Sequence, residues 1–348
     1  MRLGSEIGRW AGRGEARMIR VKAHATTDGS ESNGVELGDL RDAAAIGEIS
    51  DLLADATRLL WIDVNDPSPE EMVRVGEEFG LHPLAIEDAI RRHERPKLEL
   101  FEGYIFIVFY ALEMIGERPT TREVNLFAGK NYLITVHEGD LAVISETADR
   151  WTDHVHEHGK PTVGLLVYAV LDAVVDGYFP VIDELAERIE DLEDDIFNGH
   201  EIETQRDIFR LKKDLLAVRR VVAPERDVMN VLVRRDAPLF SKREATYFQD
   251  VYDHLLRITD TVDTYREILT GALDANLSMT SYRLNATVKR MTSSSIILMS
   301  MGLVAGIYGM NFVNIPELDW GLGYVWALGL MAAIGGGLFM FFRRIDWL

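Results

Sequence analysis

The sequence predicts a domain of the α+β or α/β type that leads through a long stalk helix into two C-terminal transmembrane helices. Strand and helix patterns alternate over residues 18–136, helical patterns follow from Val163 onwards, and two long runs without charge lie near the end of the chain. A chain of 348 residues is also about twice the usual length of one domain, so we expect at least two structural units.

Six segments rich in β-branched and aromatic residues predict the strands of the first domain. They are Met18–Ala25, Arg58–Val64, Lys97–Phe101, Tyr104–Met114, Glu123–Gly129 and Tyr132–Val136. The fourth is nearly all apolar over its first seven residues, as expected for a strand covered on both faces. Helices are predicted at Pro69–Phe79 and Pro83–Arg92, with Asp66 and Ser68 as candidate caps.

The second half of the soluble part is predicted to be helical. An antiparallel pair of helices and its turn are expected at Val163–Phe197, Ile202–Arg235 and Asn198–His200. Pro180 and Pro224 are expected to kink these helices. A third helical segment runs without proline from about Ser241 to Ile307. At 1.5 Å per residue this would be a rod of roughly 100 Å, which we expect to couple the soluble part to the membrane.

Two charge-free runs predict the transmembrane helices. Met291–Met310 and Trp320–Phe342 are each long enough to cross a bilayer. The loop between them, Asn311–Asp319, is polar, and its Pro316 is expected to end or prevent a helix. A buried hairpin in a soluble protein is the alternative, which two consecutive uncharged runs disfavour.

The flanking charges predict the orientation. Lys289 and Arg290 precede the first span and Arg343 and Arg344 follow the second, whereas the loop has no basic residue, so both termini are expected in the cytoplasm and the protein in the cytoplasmic membrane. The N-terminus lacks the apolar core of a signal peptide. Translation could start at Met1 or Met18.

These features predict seven segments along the chain. They are a disordered extension at 1–17, an α/β domain at 18–160, a helical pair at 161–240, a stalk helix continuing into the first span at 241–312, an external loop at 311–320, a second span at 321–342 and a basic tail at 343–348.

Composition excludes several classes of function. The formal net charge is −20, of which the tail from Met291 carries only −1, so general nucleic-acid binding is not expected. The chain has no cysteine, which excludes thiolate catalysis and cysteine metal sites. No glycine-rich phosphate loop is present, so we expect neither nucleotide binding nor an enzyme. The histidines of residues 154–158 could bind a transition metal, although a solvated helix end is the favoured interpretation.

The sequence Tyr308–Phe312, YGMNF, lies where the first span ends. A helix C-terminus is one interpretation. The pentapeptide also resembles the signature of the CorA family of divalent-cation channels, and so does its context. The other matching segments are Leu81–Asp88, His93–Lys97, Asp260–Gly271, Ile315–Leu318 and Arg343–Leu348. The resemblance extends from about residue 18 to the end.

The resemblance implies a funnel-shaped homopentamer whose first span lines a pore, since two helices cannot enclose an aqueous path. Gly309, Met310 and Asn311 would form the selectivity filter, with Asn311 supplying a ring of amide oxygens. Neutral oxygens can hold hydrated Mg2+ through its water shell. Co2+ or Ni2+ would pass as well, and no organic cofactor is implied. Glu317 would lie in the external loop.

Helical spacing predicts the face of the first span that lines the pore. Its members are Asn285, Val288, Met291 or Thr292, Ser295, Met299, Gly302 and Gly306. The bulky residues Ile296, Ile297, Leu298, Leu303, Val304 and Ile307 are expected to face lipid or the second span. Matched to the family, Asn285 is a polar ring, and Met291 and Met299 are hydrophobic constrictions that can gate by dewetting. Packing between helices explains the methionines and the Gly302/Gly306 pair equally well.

Four carboxylates are candidates for a regulatory metal site. The resemblance implies that Glu87 and Asp88 face the next subunit, that Asp250 is their partner, and that Asp172 completes a second site. Carboxylates across an interface repel one another when empty and are bridged by Mg2+. Ordinary solvated acids are the alternative.

The sequence therefore predicts passive Mg2+ influx that closes when cytosolic Mg2+ is high. Two alternatives stay open. One is a Zn2+ transporter of the ZntB type. The other is an acidic sensor or scaffold that the hairpin only tethers to the membrane, without a pore.

Overall fold

The computed structural model describes residues 19–25, 53, 55, 58–91, 94–158, 161–198, 201–234, 239–311 and 316–348. The predicted N-terminal extension at 1–17 and both candidate start residues, Met1 and Met18, lie outside these ranges. So do Arg92, most of the Asn198–His200 turn, Arg235 and Phe312. The chain divides into two compact units, residues 1–192 with 207–269 and residues 193–206 with 270–348.

A mixed six-stranded sheet forms the centre of the first unit. Its strands are β1 (Ile19–Ala25), β2 (Arg58–Asn65), β3 (Lys97–Phe101), β4 (Tyr104–Ile115), β5 (Arg118–Ala128) and β6 (Tyr132–His137). Their spatial order is β1-β2-β6-β5-β4-β3. Only β2 and β6 pair in parallel, with Leu60 opposite Tyr132, and every other pair is antiparallel. A mostly antiparallel sheet of this kind places the domain in the α+β class.

Strand β5 begins five residues before its predicted start. Arg118–Arg122 is polar, and the period of buried residues alone does not reveal it as a strand. It forms because β4 and β5 make a tight hairpin in which Ile115 pairs with Arg118. Gly116 in that turn has φ +62°, a conformation that glycine adopts without strain. An ion pair of 3.1 Å between Arg122 and Glu113 adds to the pairing.

The described helices are α1 (Pro69–Phe79), α2 (Pro83–Arg91), α3 (Ala142–His158), α4 (Val163–Asp176), α5 (Tyr178–Asn198), α6 (Glu201–Val233), α7 (Glu244–Tyr308) and α8 (Gly323–Arg344). A 3-10 turn, Pro316–Asp319, precedes α8. Pro316 therefore begins a short helical turn rather than only preventing helix. Helix α3 is not among the predicted elements apart from its end at residues 154–158.

Both faces of the sheet are covered, as the apolar β4 predicts. Phe106 and Val108 lie in the hydrophobic core that also contains Met72 of α1 and Ile86 of α2. Ile107 points to the opposite face, where α4 packs on β4 and β6, and it is completely buried. This core fixes α2 and α4, which carry three of the four candidate regulatory acids.

Ser68 alone caps α1. Its hydroxyl accepts the Glu71 N–H at 3.3 Å, and the Glu71 carboxylate accepts the Ser68 N–H at 2.6 Å, which is a capping box. The prediction that Asp66 could cap this helix is wrong. The Asp66 carboxylate instead accepts the backbone N–H of Gly139 at 3.0 Å, and the residue's φ of 51° places it in a turn.

The helix predicted at Val163–Phe197 is interrupted at Gly177, which separates α4 from α5. Gly177 lies three residues before Pro180, and the proline has no N–H to bond to the carbonyl of Asp176. The interruption therefore lies in the turn before Pro180, as the prediction of a kink there requires. Pro224, by contrast, lies inside α6, which continues through it.

Candidate functional site

Two carboxylates and one imidazole come together on two helices of the first unit. Asp172 lies on α4, and Asp250 and His254 lie on α7, one turn apart. One ligand atom from each lies within 4.8 Å of the others. Asp172 and His254 are half-buried and Asp250 is exposed. Within the described part of the chain, this is the one group of three acidic or histidine residues close enough to share a metal ion.

The register between α4 and α7 brings these side chains together. Near the start of both helices, Gly164 faces the side chain of Glu244. One turn further, the rings of Tyr168 and Tyr247 lie 5.1 Å apart. The next two facing pairs are Asp172 with Asp250 and Asp176 with His254. Because both residue numbers rise together in steps of three or four, the two helices run parallel and present one continuous face to each other.

The site has an excess of negative charge. The pKa of the Asp172 carboxyl is raised to about 6, chiefly by burial and then by the negative charges of Asp176 and Asp250, while His254 and a hydrogen bond from Tyr168 act to lower it. His254 Nδ1 lies 3.7 Å from a carboxylate oxygen of Asp176, which is an ion pair only when the imidazole is protonated. A dication placed among these groups would favour ionised Asp172 and stabilise the group.

The other two predicted regulatory acids, Glu87 and Asp88, lie on α2 and do not belong to that group. Glu87 pairs with Arg91 at 2.7 Å on the exposed side of the helix. Asp88 accepts a hydrogen bond from Lys97 Nζ at 2.6 Å. Their pairing with Asp250 of a neighbouring subunit stays a prediction.

The predicted pore face of α7 is uncovered within the chain. Met291 and Met299 are 68% and 73% exposed, and Asn285, Ser295 and Gly302 are exposed as well. A Cβ atom added to Gly302 would meet no heavy atom within 4 Å. Gly302 therefore does not serve close packing between the two spans of one chain.

The second span packs on the other side of α7. A Cβ atom added to Gly335 of α8 would lie 3.1 Å from Met301 Sδ and 3.9 Å from Ile297 Cγ2. Ile297 and Met299 are two residues apart and so about 200° apart around the helix axis. Ile297 contacts α8, whereas Ile296, Leu298, Leu303 and Ile307 are exposed within the chain. These positions fit the predicted apolar face, whose members are expected to face either the second span or lipid, and the lipid contact of the exposed ones stays a prediction.

The predicted filter residues follow the end of α7. Gly309 N–H is bonded to Ala305 O at 3.0 Å, and Met310 N–H to Ile307 O at 3.2 Å, so this segment closes the last turn of the helix. Asn311 comes next and is exposed. Glu317 lies in the 3-10 turn, and its carbonyl approaches Gly323 so closely that no Cβ would fit there.

Among the residues that the structure describes, three stretches of helix are long and apolar enough to cross a membrane. The apolar window within Val163–Ile196 is 67% buried, and this stretch comprises α4 and most of α5. The apolar windows of α7 and α8 are only 11% and 17% buried. Large apolar surfaces of this kind require lipid or partner subunits, so the apolar windows of α7 and α8 are the candidate spans.

Sequence reasoning missed His254 as a member of the site. Its signal is the spacing Asp250-x-x-x-His254, which places both residues on one face of a helix. It also missed Asp176, which follows Asp172 at the same spacing, and Lys97, which contacts Asp88.

The chain was compared with known proteins. A family model described as CorA-like Mg2+ transporter protein matches residues 56–344. The cobalt/magnesium transport protein CorA of Thermotoga maritima is 35% identical over 297 residues, which cover 84% of this chain and 85% of that protein. The cobalt/magnesium transport protein CorA of Methanocaldococcus jannaschii is 28% identical over 295 residues, with 84% and 92% covered.

The fold matches a solved structure along nearly its whole length. The complete structure of the CorA magnesium transporter of Methanocaldococcus jannaschii has a TM-score of 0.77 and 24% identity, and the match covers 95% of this chain and 99% of that chain. Together with the family match, these similarities show that the chain belongs to the family of CorA-like Mg2+ transporter proteins, which are membrane transporters of divalent cations.

Proposed function

We propose that five copies of this chain form a channel for passive Mg2+ influx across the cytoplasmic membrane, with both termini in the cytoplasm. The observation that carries the proposal is the exposed stripe of α7, which the second span of the same chain leaves uncovered. The stripe contains polar, small and methionine side chains and ends near Asn311. Several copies that turn this stripe inward would enclose a pore.

Selectivity would reside at the mouth of that pore. Asn311 offers a neutral amide oxygen, and a ring of such oxygens binds the water shell of Mg2+ without stripping it. Contacts to water discriminate weakly among dications of similar size, so Co2+ and Ni2+ would also pass. Met291 and Met299 would form apolar constrictions that close the path when water leaves them.

Cytosolic Mg2+ would regulate this channel at the carboxylates of the first unit. Asp172, Asp250 and His254 would form one side of each sensor site, because their ligand atoms lie within 4.8 Å of one another. Glu87 and Asp88 would approach Asp250 from the neighbouring subunit. Bound Mg2+ would bridge groups that otherwise repel one another and hold the subunits in the closed arrangement. Depletion of Mg2+ would release them and open the pore.

Flux into liposomes tests the proposal. The full chain is reconstituted with a Mg2+-sensitive dye inside, and wild type is compared with Asn311→Ala and with the loop variant Glu317→Gln as a matched control. We expect flux in wild type and Glu317→Gln and a loss of most of it in Asn311→Ala. Equal flux in all three would contradict the assignment of Asn311 to the selectivity filter. No flux of any dication in wild type would favour the alternative of a membrane-tethered sensor or scaffold without a pore. Zn2+ flux without Mg2+ flux would identify a Zn2+ transporter.

A further inference from the structure

Three carboxylates converge on a single ammonium group. Lys97 Nζ lies 2.6 Å from Asp88 Oδ2, 3.1 Å from Glu99 Oε1 and 3.6 Å from Glu94 Oε2. The side chains of Lys97 and Asp88 are 25% and 22% exposed, so this contact is partly shielded from water. The chain thus supplies a cation of its own to the acid that we propose as a regulatory ligand.

The fold holds the ammonium in this place. Lys97 and Glu99 are two residues apart on β3, so their side chains leave the same face of the sheet, the face on which α2 carries Asp88. Lys97 Nζ also lies 5.9 Å from the centre of the Phe106 ring. The backbone of Glu94 is fixed by Tyr110, whose Oη donates a hydrogen bond to the Glu94 carbonyl oxygen at 2.6 Å.

The neighbouring pair on the same helix is different. Glu87 and Arg91 are four residues apart, and their side chains are 43% and 73% exposed. Such a pair exchanges readily with water and hinders an incoming cation little. Asp88 is therefore paired with the partly buried ammonium of Lys97, whereas Glu87 is paired with the solvent-exposed guanidinium of Arg91.

We propose that Lys97 is a built-in competitor for the divalent cation at Asp88, and that it sets the cation concentration at which this site fills. This rests on the proposed function of Asp88 as a sensor. For Mg2+ to bind Asp88, the ammonium has to leave it. Glu94 and Glu99 keep partial hold of the displaced ammonium, so exchange needs only a rotation of the lysine side chain. The competition moves the filling of the site to higher Mg2+ concentrations.

Removal of the lysine charge should therefore tighten cation binding. The displaced ammonium stays close to the bound dication and repels it, and screening by salt weakens this repulsion. We expect the Mg2+ midpoint to fall about tenfold in Lys97→Met. A lysine that merely held Asp88 in place would give the opposite sign, because its loss would weaken binding.

The experiment is a Mg2+ titration of the full chain in detergent, with protection from limited proteolysis as the readout. The variants are Lys97→Met, Lys97→Gln, Lys97→Arg and Asp88→Asn, with Arg91→Met as a matched control for loss of a basic residue beside Glu87. Lys97→Gln keeps a hydrogen-bond donor without the charge and provides a second neutral variant. Thermal unfolding in the presence of a chelator checks that each variant is folded.

Lower midpoints in Lys97→Met and Lys97→Gln, with Lys97→Arg and Arg91→Met close to wild type, would support the proposal. In the double variant Asp88→Asn with Lys97→Met, the Mg2+ midpoint should no longer be lower than in wild type. An unchanged or higher midpoint in both neutral variants, while Asp88→Asn shifts it upward, would overturn the competition and leave the sensor intact. If Asp88→Asn also had no effect, the proposed sensor itself would be wrong.

Discussion

Gly164 and Glu244 touch so closely that a Cβ atom on residue 164 would overlap the Glu244 carboxylate. That carboxylate accepts hydrogen bonds from Ser241 N–H, just before α7, and from the hydroxyl of Thr162. Thr162 in turn caps α4 by accepting the Leu165 N–H at 3.1 Å. One buried side chain therefore joins the first turns of the two helices that carry Asp172 and Asp250.

Gly164→Ala should separate these helices and weaken the candidate cation site. The added methyl forces Glu244 out of its place, and overpacking of this kind costs about 1–3 kcal/mol. Thermal unfolding and Co2+ titration of the full chain measure both effects. Gly271→Ala on α7 is the control, because a Cβ atom there meets nothing within 4 Å. Equal stability of the two variants would contradict the prediction.

The imidazole of His254 should make the site favour transition metals over Mg2+. Nitrogen ligands suit Co2+ and Ni2+, whereas Mg2+ prefers oxygen. We expect His254→Ala to lose about tenfold or more in Co2+ affinity and clearly less in Mg2+ affinity. Calorimetric titration with each metal measures the ratio. The exposed neighbour Asp253→Asn serves as the control, and a parallel loss for both metals in His254→Ala would count against imidazole ligation.

Glu225 should make the protein lose stability as the pH rises. Its carboxylate is fully buried on α6, next to the Tyr178 hydroxyl at 2.8 Å and the Tyr110 N–H at 2.9 Å. Burial raises the pKa of the Glu225 carboxyl well above its usual range, even though these two hydrogen bonds act to lower it. The folded state then keeps a proton that the unfolded chain releases above about pH 4.5.

The stability that this proton contributes is complete below the unfolded pKa and is lost as the pH rises towards the folded pKa. Glu225→Gln has no such proton. The free energy of unfolding of Glu225→Gln should therefore rise relative to that of wild type, by up to about 1.4 kcal/mol per pH unit, as the pH increases above the unfolded pKa and until the folded carboxyl ionises. Denaturant unfolding at several pH values measures this gain. Asp227→Asn, an exposed acid on the same helix, should show no such trend, and parallel curves for Glu225→Gln and wild type would argue against a neutral Glu225.

The absence of cysteine makes accessibility a clean test of the pore face. Single cysteines at Ser295, Met299 and Gly302 should react with a charged thiol reagent and lose most of the flux. Cysteines at Ile297 and Met301, which face α8, should react slowly and keep it. Faster block at residues 297 and 301 than at 295 and 299 would place the pore on the other side of the helix.

Much of this fold follows from local patterns. The β-branched and aromatic runs predict the six strands of the sheet, and Ser68 is one of the two caps predicted for α1, because both features depend on neighbours in the chain. The exact position of the break between α4 and α5 does not follow, since Pro180 predicts an interruption in the turn before it but does not single out Gly177.

The candidate site was predictable in part. The three-and-four spacing along α7 separates the stripe of Ser295 and Met299 from the side of Ile297, because helical period alone decides it. The grouping of Asp172 with Asp250 and His254 depends on the parallel register of two helices far apart in sequence, which Glu244 sets through contacts that no local pattern contains.

The order of strands in the sheet imposes an order on synthesis. Strands β3 to β6 are consecutive neighbours that hairpins can join as the chain leaves the ribosome. Strand β2 is made before all of them, yet its inner partner is β6, with Leu60 opposite Tyr132. Its apolar segment has to wait for more than 70 residues of translation before that partner exists. During this interval β2 has only the edge strand β1 to pair with, and its other edge stays open until β6 is made.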